Sequence, residues 1–205
     1  MNDGNTADAS AATKALFDAA RKNDVAAARK ALADGAALEA RAEAARTPLI
    51  VATRANAVDV ARFLLDAGAS PNAKDSLEDS AFLYAGAEGL DEILRATLDH
   101  GADVTSTNRY GGTALIPASE HAHVSTVKIL LKAGVPVNHV NNLSWTALHE
   151  AIVLGNGSAD HVETVRLLIE GGADVTIPDG NGIAPRELAA AQGYDKIVAL
   201  IDGAR

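Results

Sequence analysis

The chain holds 205 residues, 48% apolar but only 3% aromatic, with 27 acidic against 18 basic side chains and a formal net charge of −9. That excess of carboxylates argues against nucleic acid or an anionic membrane as a partner, and the absence of cysteine excludes disulfides, thiolate metal sites and cysteine nucleophiles. No run approaches the roughly 20 apolar residues that span a bilayer, and no apolar signal-peptide core follows Met1.

Residues 1–11 are small and polar, without periodicity, and read as a flexible leader. Leaders of this kind also follow a removed signal or lipid anchor. Met1 would then replace a processed start and the compartment would be periplasmic; a plain cytoplasmic start is the other reading, and localisation stays open between them.

From residue 12 the chain repeats itself. Thr47-Pro48-Leu49-Ile50 aligns with Ser80-Ala81-Phe82-Leu83, Thr113-Ala114-Leu115-Ile116 and Thr146-Ala147-Leu148-His149 at a step of 33 residues. Gly35, Gly68, Gly101 and Gly134 keep the same step, and Gly172 follows after 38 because five residues are inserted near 155–161. A fixed period of this length marks stacked units that bury a shared core with their neighbours. The divisions are an N-terminal cap at 12–41, internal units at 42–74, 75–107, 108–140 and 141–178, and a C-terminal cap at 179–205.

In the first internal unit, Thr47 caps a short helix that begins at Pro48 and runs to about Arg54. A second helix covers Val58 to Ala67, with Val60 and Leu64, then Ala61 and Leu65, four apart on one face. Gly68 ends it, and residues 69–75 form an extended arm leading into a turn. The next unit carries most of the charge: Asp75, Glu78, Asp79, Glu88, Asp91, Glu92, Asp99 and Asp103 face only Arg95. Their field attracts a basic surface, although solubility alone explains the same charge. In the later units Val127, Leu130 and Leu131, then Val165, Leu168 and Ile169, are expected at the places of Val60, Phe63-Leu64 and Leu65, as one apolar seam. The Gly- and Asn-rich insert at 155–160 reads as a mobile connection between two helices.

Helix, turn, helix and arm at this step, with Thr146-Ala147-Leu148-His149 and Leu167-Leu168-Ile169-Glu170-Gly171-Gly172-Ala173-Asp174-Val175 as the most regular copy, resemble the ankyrin repeat over about 12–205. Departures are Ser80 for Thr, Glu78 and Ser144 for the usual turn glycine, and Ala184-Pro185-Arg186-Glu187 in the last unit. The resemblance implies an all-α ankyrin-repeat solenoid of about six helix-turn-helix units linked by extended arms and β-turns. The stretches DSLEDSAFLYAGAEG, NRYGGTALIPASE and VNNLSWTALHEAI further resemble small stand-alone bacterial ankyrin proteins, many of them exported and some associated with catalase and oxidative stress.

Catalytic and metal motifs are not the expectation. His121 and His123 stand one residue apart, with His100, His139, His149 and His161 elsewhere, but His123 and His161 share a repeat position and His149 belongs to the T-x-L-H signature. Asp179-Gly180-Asn181-Gly182 lacks the later acidic ligands of a calcium loop. Neither a G-x-S-x-G elbow nor a phosphate-binding loop occurs. The chain is therefore read as non-enzymatic and without a cofactor.

What the resemblance implies instead is a concave face made of turn tips and inner helices that meets a protein partner. Carried over by position, it selects Arg46, Asp79, Arg109, Tyr110, Leu143 and Trp145 at the tips, and Glu88, Glu120, His121, Val153 and Leu154 on the inner helices. Trp145 is the leading anchor, since Trp, Tyr and Arg dominate interface hot spots; packing of Trp145 and Tyr110 on neighbouring turns is the competing explanation. The expected function is a monomeric protein-protein interaction module with a basic partner. The alternative is an inhibitor or immunity-type protein that blocks a basic toxin or a stress-linked enzyme through the acidic residues 75–107.

Overall fold

The computed structural model describes residues 3–204, with side chains described from residue 10 onward. Every regular element among them is helical, and the twelve α-helices pair into six helix-turn-helix units. They are α1 (Asp3–Lys22), α2 (Val25–Ala33), α3 (Pro48–Arg54), α4 (Val58–Asp66), α5 (Ala81–Ala87), α6 (Asp91–Asp99), α7 (Leu115–Glu120), α8 (Val124–Lys132), α9 (Ala147–Val153), α10 (Ala159–Glu170), α11 (Pro185–Ala191) and α12 (Asp195–Gly203). Helix α1 opens inside the segment read as a leader, where alanines at 7, 9, 11 and 12 favour helix. Met1 and Asn2, where a processed start would fall, lie outside the described residues.

The chain divides into two compact bodies. The first comprises residues 3–85 with 92–103. In it α1 packs on α2, α3 and α4, burying Leu16, Phe17, Ala20, Leu49, Ile50, Val60 and Leu64. A helix of seven residues such as α3 does not hold its shape alone in water, and burial of each such Leu or Ile contributes about 1.5–3 kcal/mol. Its start follows the sequence closely: Pro48 stands at the first helical position and the Thr47 hydroxyl accepts the Ile50 N–H at 3.2 Å. Ser80, in place of Thr, caps α5 in the same way, with its hydroxyl accepting the Leu83 N–H at 3.1 Å.

The second body comprises residues 86–91 with 104–204. Helix α7 packs on α8 and α9, α9 on α10 and α11, and α10 on α8 and α12. Its seam keeps the expected register at Leu130 and Leu168 and departs from it by one position at Val127 and Val165. Buried Thr126, Val127 and Leu130, then Thr164, Val165 and Leu168, answer to Val60, Ala61 and Leu64, so Val127 stands where Ala61 does. A threonine suits the place of Val60 at 126 because its hydroxyl donates to Asp91 Oδ1 at 2.6 Å. Leu131 and Ile169 are half-buried. Thr113 also departs from the pattern: helix α7 starts one residue later, the Ile116 N–H goes to the Thr113 carbonyl at 3.1 Å, and the buried hydroxyl has no hydrogen bond.

The inserted connection between α9 and α10 is fastened at both ends. The Ser158 side chain caps α10 by accepting the His161 N–H at 3.4 Å. The Tyr194 hydroxyl donates to the Gly155 carbonyl at 3.0 Å, and its ring lies so near Gly157 that a Cβ there would stand 2.6 Å away.

Candidate functional site

Four turns at the tips of the units share one construction, dictated by an Asp or Asn at the same repeat position. Asp75 Oδ1 accepts the N–H groups of Leu77 at 2.8 Å and Asp79 at 3.1 Å. Asn108 Oδ1 takes those of Tyr110 and Gly112, Asn141 Oδ1 those of Leu143 and Trp145, and Asp179 Oδ1 those of Asn181 and Ile183. In each, the first residue's own N–H closes the turn onto the carbonyl four residues on, at 2.9 Å. Ala42 occupies the equivalent place in the first such turn and offers no acceptor; Arg41 compensates by donating to the carbonyls of Ala45 at 2.8 Å and Lys74 at 2.6 Å.

A left-handed residue is required within each turn. Gly111 and Gly182 supply it freely at φ 71° and 81°, whereas Ala45, Glu78 and Ser144 hold φ of 55°, 61° and 63° against their own Cβ. Neighbouring tips are tied by the backbone: Ser76 N–H to the Ala44 carbonyl at 2.8 Å in the first body, and Asn142 N–H to the Tyr110 carbonyl at 2.9 Å in the second.

In the second body these turns and the inner helices enclose a groove of about 260 Å³. It is lined by Asn108, Tyr110, Gly112, Ile116, Pro117, Leu143 and Leu154, together with Glu120, Asn141 and Glu150. Tyr110, Leu143 and Leu154 are 54%, 57% and 49% exposed, which leaves large apolar surface facing water. Glu150 is only 6% exposed, and Asn141 Nδ2 donates to its Oε1 at 2.8 Å. Burial, with a smaller push from the Glu120 charge, raises the Glu150 carboxyl from about 4.5 to about 7 against the opposing Asn141 hydrogen bond.

Of the residues expected at a binding face, Tyr110, Leu143, Glu120 and Leu154 come together in this groove. Arg109 stands beside it, its guanidinium 4.6 Å from the Tyr110 ring centroid and donating to the Tyr110 hydroxyl at 2.7 Å. Trp145 is half-buried and Val153 half-buried, and neither lines the groove; His121 and Glu88 are exposed. Arg46 is half-buried and pairs with Asp75 at 3.4 Å in the first body. A basic concavity adjoins it there, lined by Arg21, Arg46 and Arg54 with Glu43.

The acidic residues expected to act as one patch are partly spent on structure. Asp75 is buried in its turn, Asp79 is half-buried, Asp91 accepts from Thr126 and Glu92 pairs with Arg62 at 3.0 Å; Glu78 and Glu88 are exposed. Burial and the nearby His121 lower the pKa of His123 against the charges of Glu88 and Asp91. His149 is buried, its Nδ1 accepting the Thr146 N–H at 3.1 Å, so the ring proton sits on Nε2; burial lowers its pKa. Among the described residues no group of three or more His, Asp and Glu is placed to hold a metal ion, and no helix is long and apolar enough to cross a membrane.

The sequence reading missed Asn108, Asn141, Ile116, Pro117 and Glu150. The two asparagines carry a visible signal, since Asp75, Asn108 and Asn141 keep the 33-residue step. Glu150 carries none, because its burial depends on what α7 and the turn at 141–145 place around it.

A family model described as Ankyrin repeats (3 copies) matches residues 2–75 and 82–179. Among solved structures, an ankyrin repeat domain from Acinetobacter baumannii AYE is 51% identical, with a TM-score of 0.89 over 92% of this chain and 96% of that one. Another ankyrin repeat protein is 37% identical, with a TM-score of 0.88 over 93% and 97%. The potassium channel AKT1 of rice, Oryza sativa subsp. indica, is 48% identical over 54 residues, 26% of this chain but only 5% of the channel's length.

Proposed function

Since the chain belongs to the ankyrin-repeat family, whose repeats are generally protein-protein interaction modules, we propose that it binds a protein partner through the groove bounded by Tyr110, Leu143 and Leu154. One observation carries this reading. Three of the large apolar side chains left exposed line a single concavity, where a partner's side chain would bury more area per contact than on a flat surface. Trp145 is half-buried at the end of the same turn, its N–H held by Asn141 Oδ1, and does not line the groove. The contacts that hold the turn in the free protein reduce the ordering cost of binding.

The acidic balance of the chain favours a basic partner, and association with one weakens as salt rises. The test is capture from the source organism with native protein and with the Tyr110→Ala, Leu143→Ala double variant, both verified as folded by circular dichroism. Capture by native protein and its loss in the folded variant is the expected result. Identical capture by both would place binding elsewhere on the protein.

A further inference from the structure

Resting on that reading, we infer that the groove takes an arginine side chain, presented by the partner next to an apolar residue, which enters between Leu143 and Leu154 and bridges Glu120 and Glu150.

Two independent observations meet there. The lining combines the exposed Tyr110, Leu143 and Leu154 and the apolar Ile116 and Pro117 with two carboxylates, Glu120 and Glu150, and holds no Lys, Arg or His among the described residues. Glu150 is 6% exposed, and its carboxyl accepts a hydrogen bond from Asn141, at Oε1. A carboxylate so placed has lost most of its hydration without gaining a counter-charge, a costly arrangement. Arg109, on the same turn as Tyr110, is engaged with the ring and hydroxyl of Tyr110.

A guanidinium satisfies both requirements of the site. Its planar fork can donate to two carboxylates at once, and its weak hydration lowers the cost of entry compared with an ammonium. The methylene stem would lie along the apolar Leu143, Leu154 and Pro117, leaving the head at Glu120 and Glu150 of the same lining. Its charge also offsets the repulsion between Glu120 and Glu150 that the free protein carries.

The experiment titrates the full chain with the peptide acetyl-Leu-Arg-Leu-amide and with its citrulline counterpart, which keeps the shape and removes the charge. Methyl resonances of Leu143 and Leu154 and the side-chain amide of Asn141 are followed by NMR. Saturable shifts with the arginine peptide are expected, with affinity about tenfold weaker for citrulline, the size of one charge-assisted hydrogen bond. In Glu150→Gln, and to a smaller degree in Glu120→Gln, the two peptides should converge. Equal binding of both peptides to native protein overturns the arginine assignment while leaving apolar docking in place; absence of shifts at Leu154 with either peptide overturns it as well. The capture experiment with Tyr110→Ala, Leu143→Ala reads the broader proposal separately.

Discussion

The side chain of Asn141 ties a turn to a helix through Glu150: its Oδ1 accepts the N–H groups of Leu143 and Trp145, and its Nδ2 donates to Glu150 Oε1 at 2.8 Å. The tip that carries Leu143 is thereby fixed to α9, so two residues lining the groove, Leu143 and Glu150, are held by one side chain.

Glu150 should make stability fall as pH rises. Its folded pKa of about 7 exceeds the ordinary value of 4.5, so between those values the folded state binds the proton that the unfolded state has released. This contribution is fully present below about pH 4.5 and is lost as pH passes through 7. Glu150→Gln keeps an oxygen for Asn141 and cannot ionise. In urea melts from pH 4 to pH 8, the variant's stability relative to native protein should climb across that window and level off above it; a flat difference would mean that Glu150 titrates normally.

The turn at 42–46 lacks the side-chain acceptor of the other four and should be improvable. Ala42→Asp supplies the missing acceptor and should raise stability by about 1 kcal/mol. Ser144→Gly, which relieves the left-handed backbone at φ 63°, should add roughly 0.5–1 kcal/mol. Chemical denaturation of each variant measures both, and a loss in either would show that the native side chain makes a compensating contact.

Tyr194 should control the order of the inserted connection. Tyr194→Phe removes the hydrogen bond to Gly155 and should cost about 1 kcal/mol. Amide hydrogen exchange within 155–158 should accelerate, while the turns at 108–112 and 141–145 keep their native rates. Unchanged exchange in the insert would mean that Ser158 alone secures it.

How much of this was legible in the sequence depends on whether a residue acts locally. Helix α3 was readable from Thr47 and Pro48 because capping and proline geometry operate within one turn of chain. The insert read as mobile, yet Tyr194, 39 residues away, holds Gly155, and composition carries no record of that contact. On the buried face of α8 only Val127 falls one position from its expected place, because Thr126 stands at the position of Val60 and spends its hydroxyl on Asp91. At the groove, Tyr110, Leu143, Glu120 and Leu154 followed from position in the repeat, whereas Glu150 needed the depth that only packing supplies. Residue type singles out Trp145, whereas its half-burial depends on the turn that holds it.

The turns at 75, 108, 141 and 179 make the same bonds although the last stands 38 residues after its predecessor rather than 33. A unit of this chain is thus delimited by its joints and not by its length. Aligning relatives by counting residues would misphase everything after the insert by five places. Anchoring the comparison on the Asp or Asn that opens each joint keeps the phase, and it marks the α9–α10 connection as the place where the chain absorbs added length without disturbing the next joint.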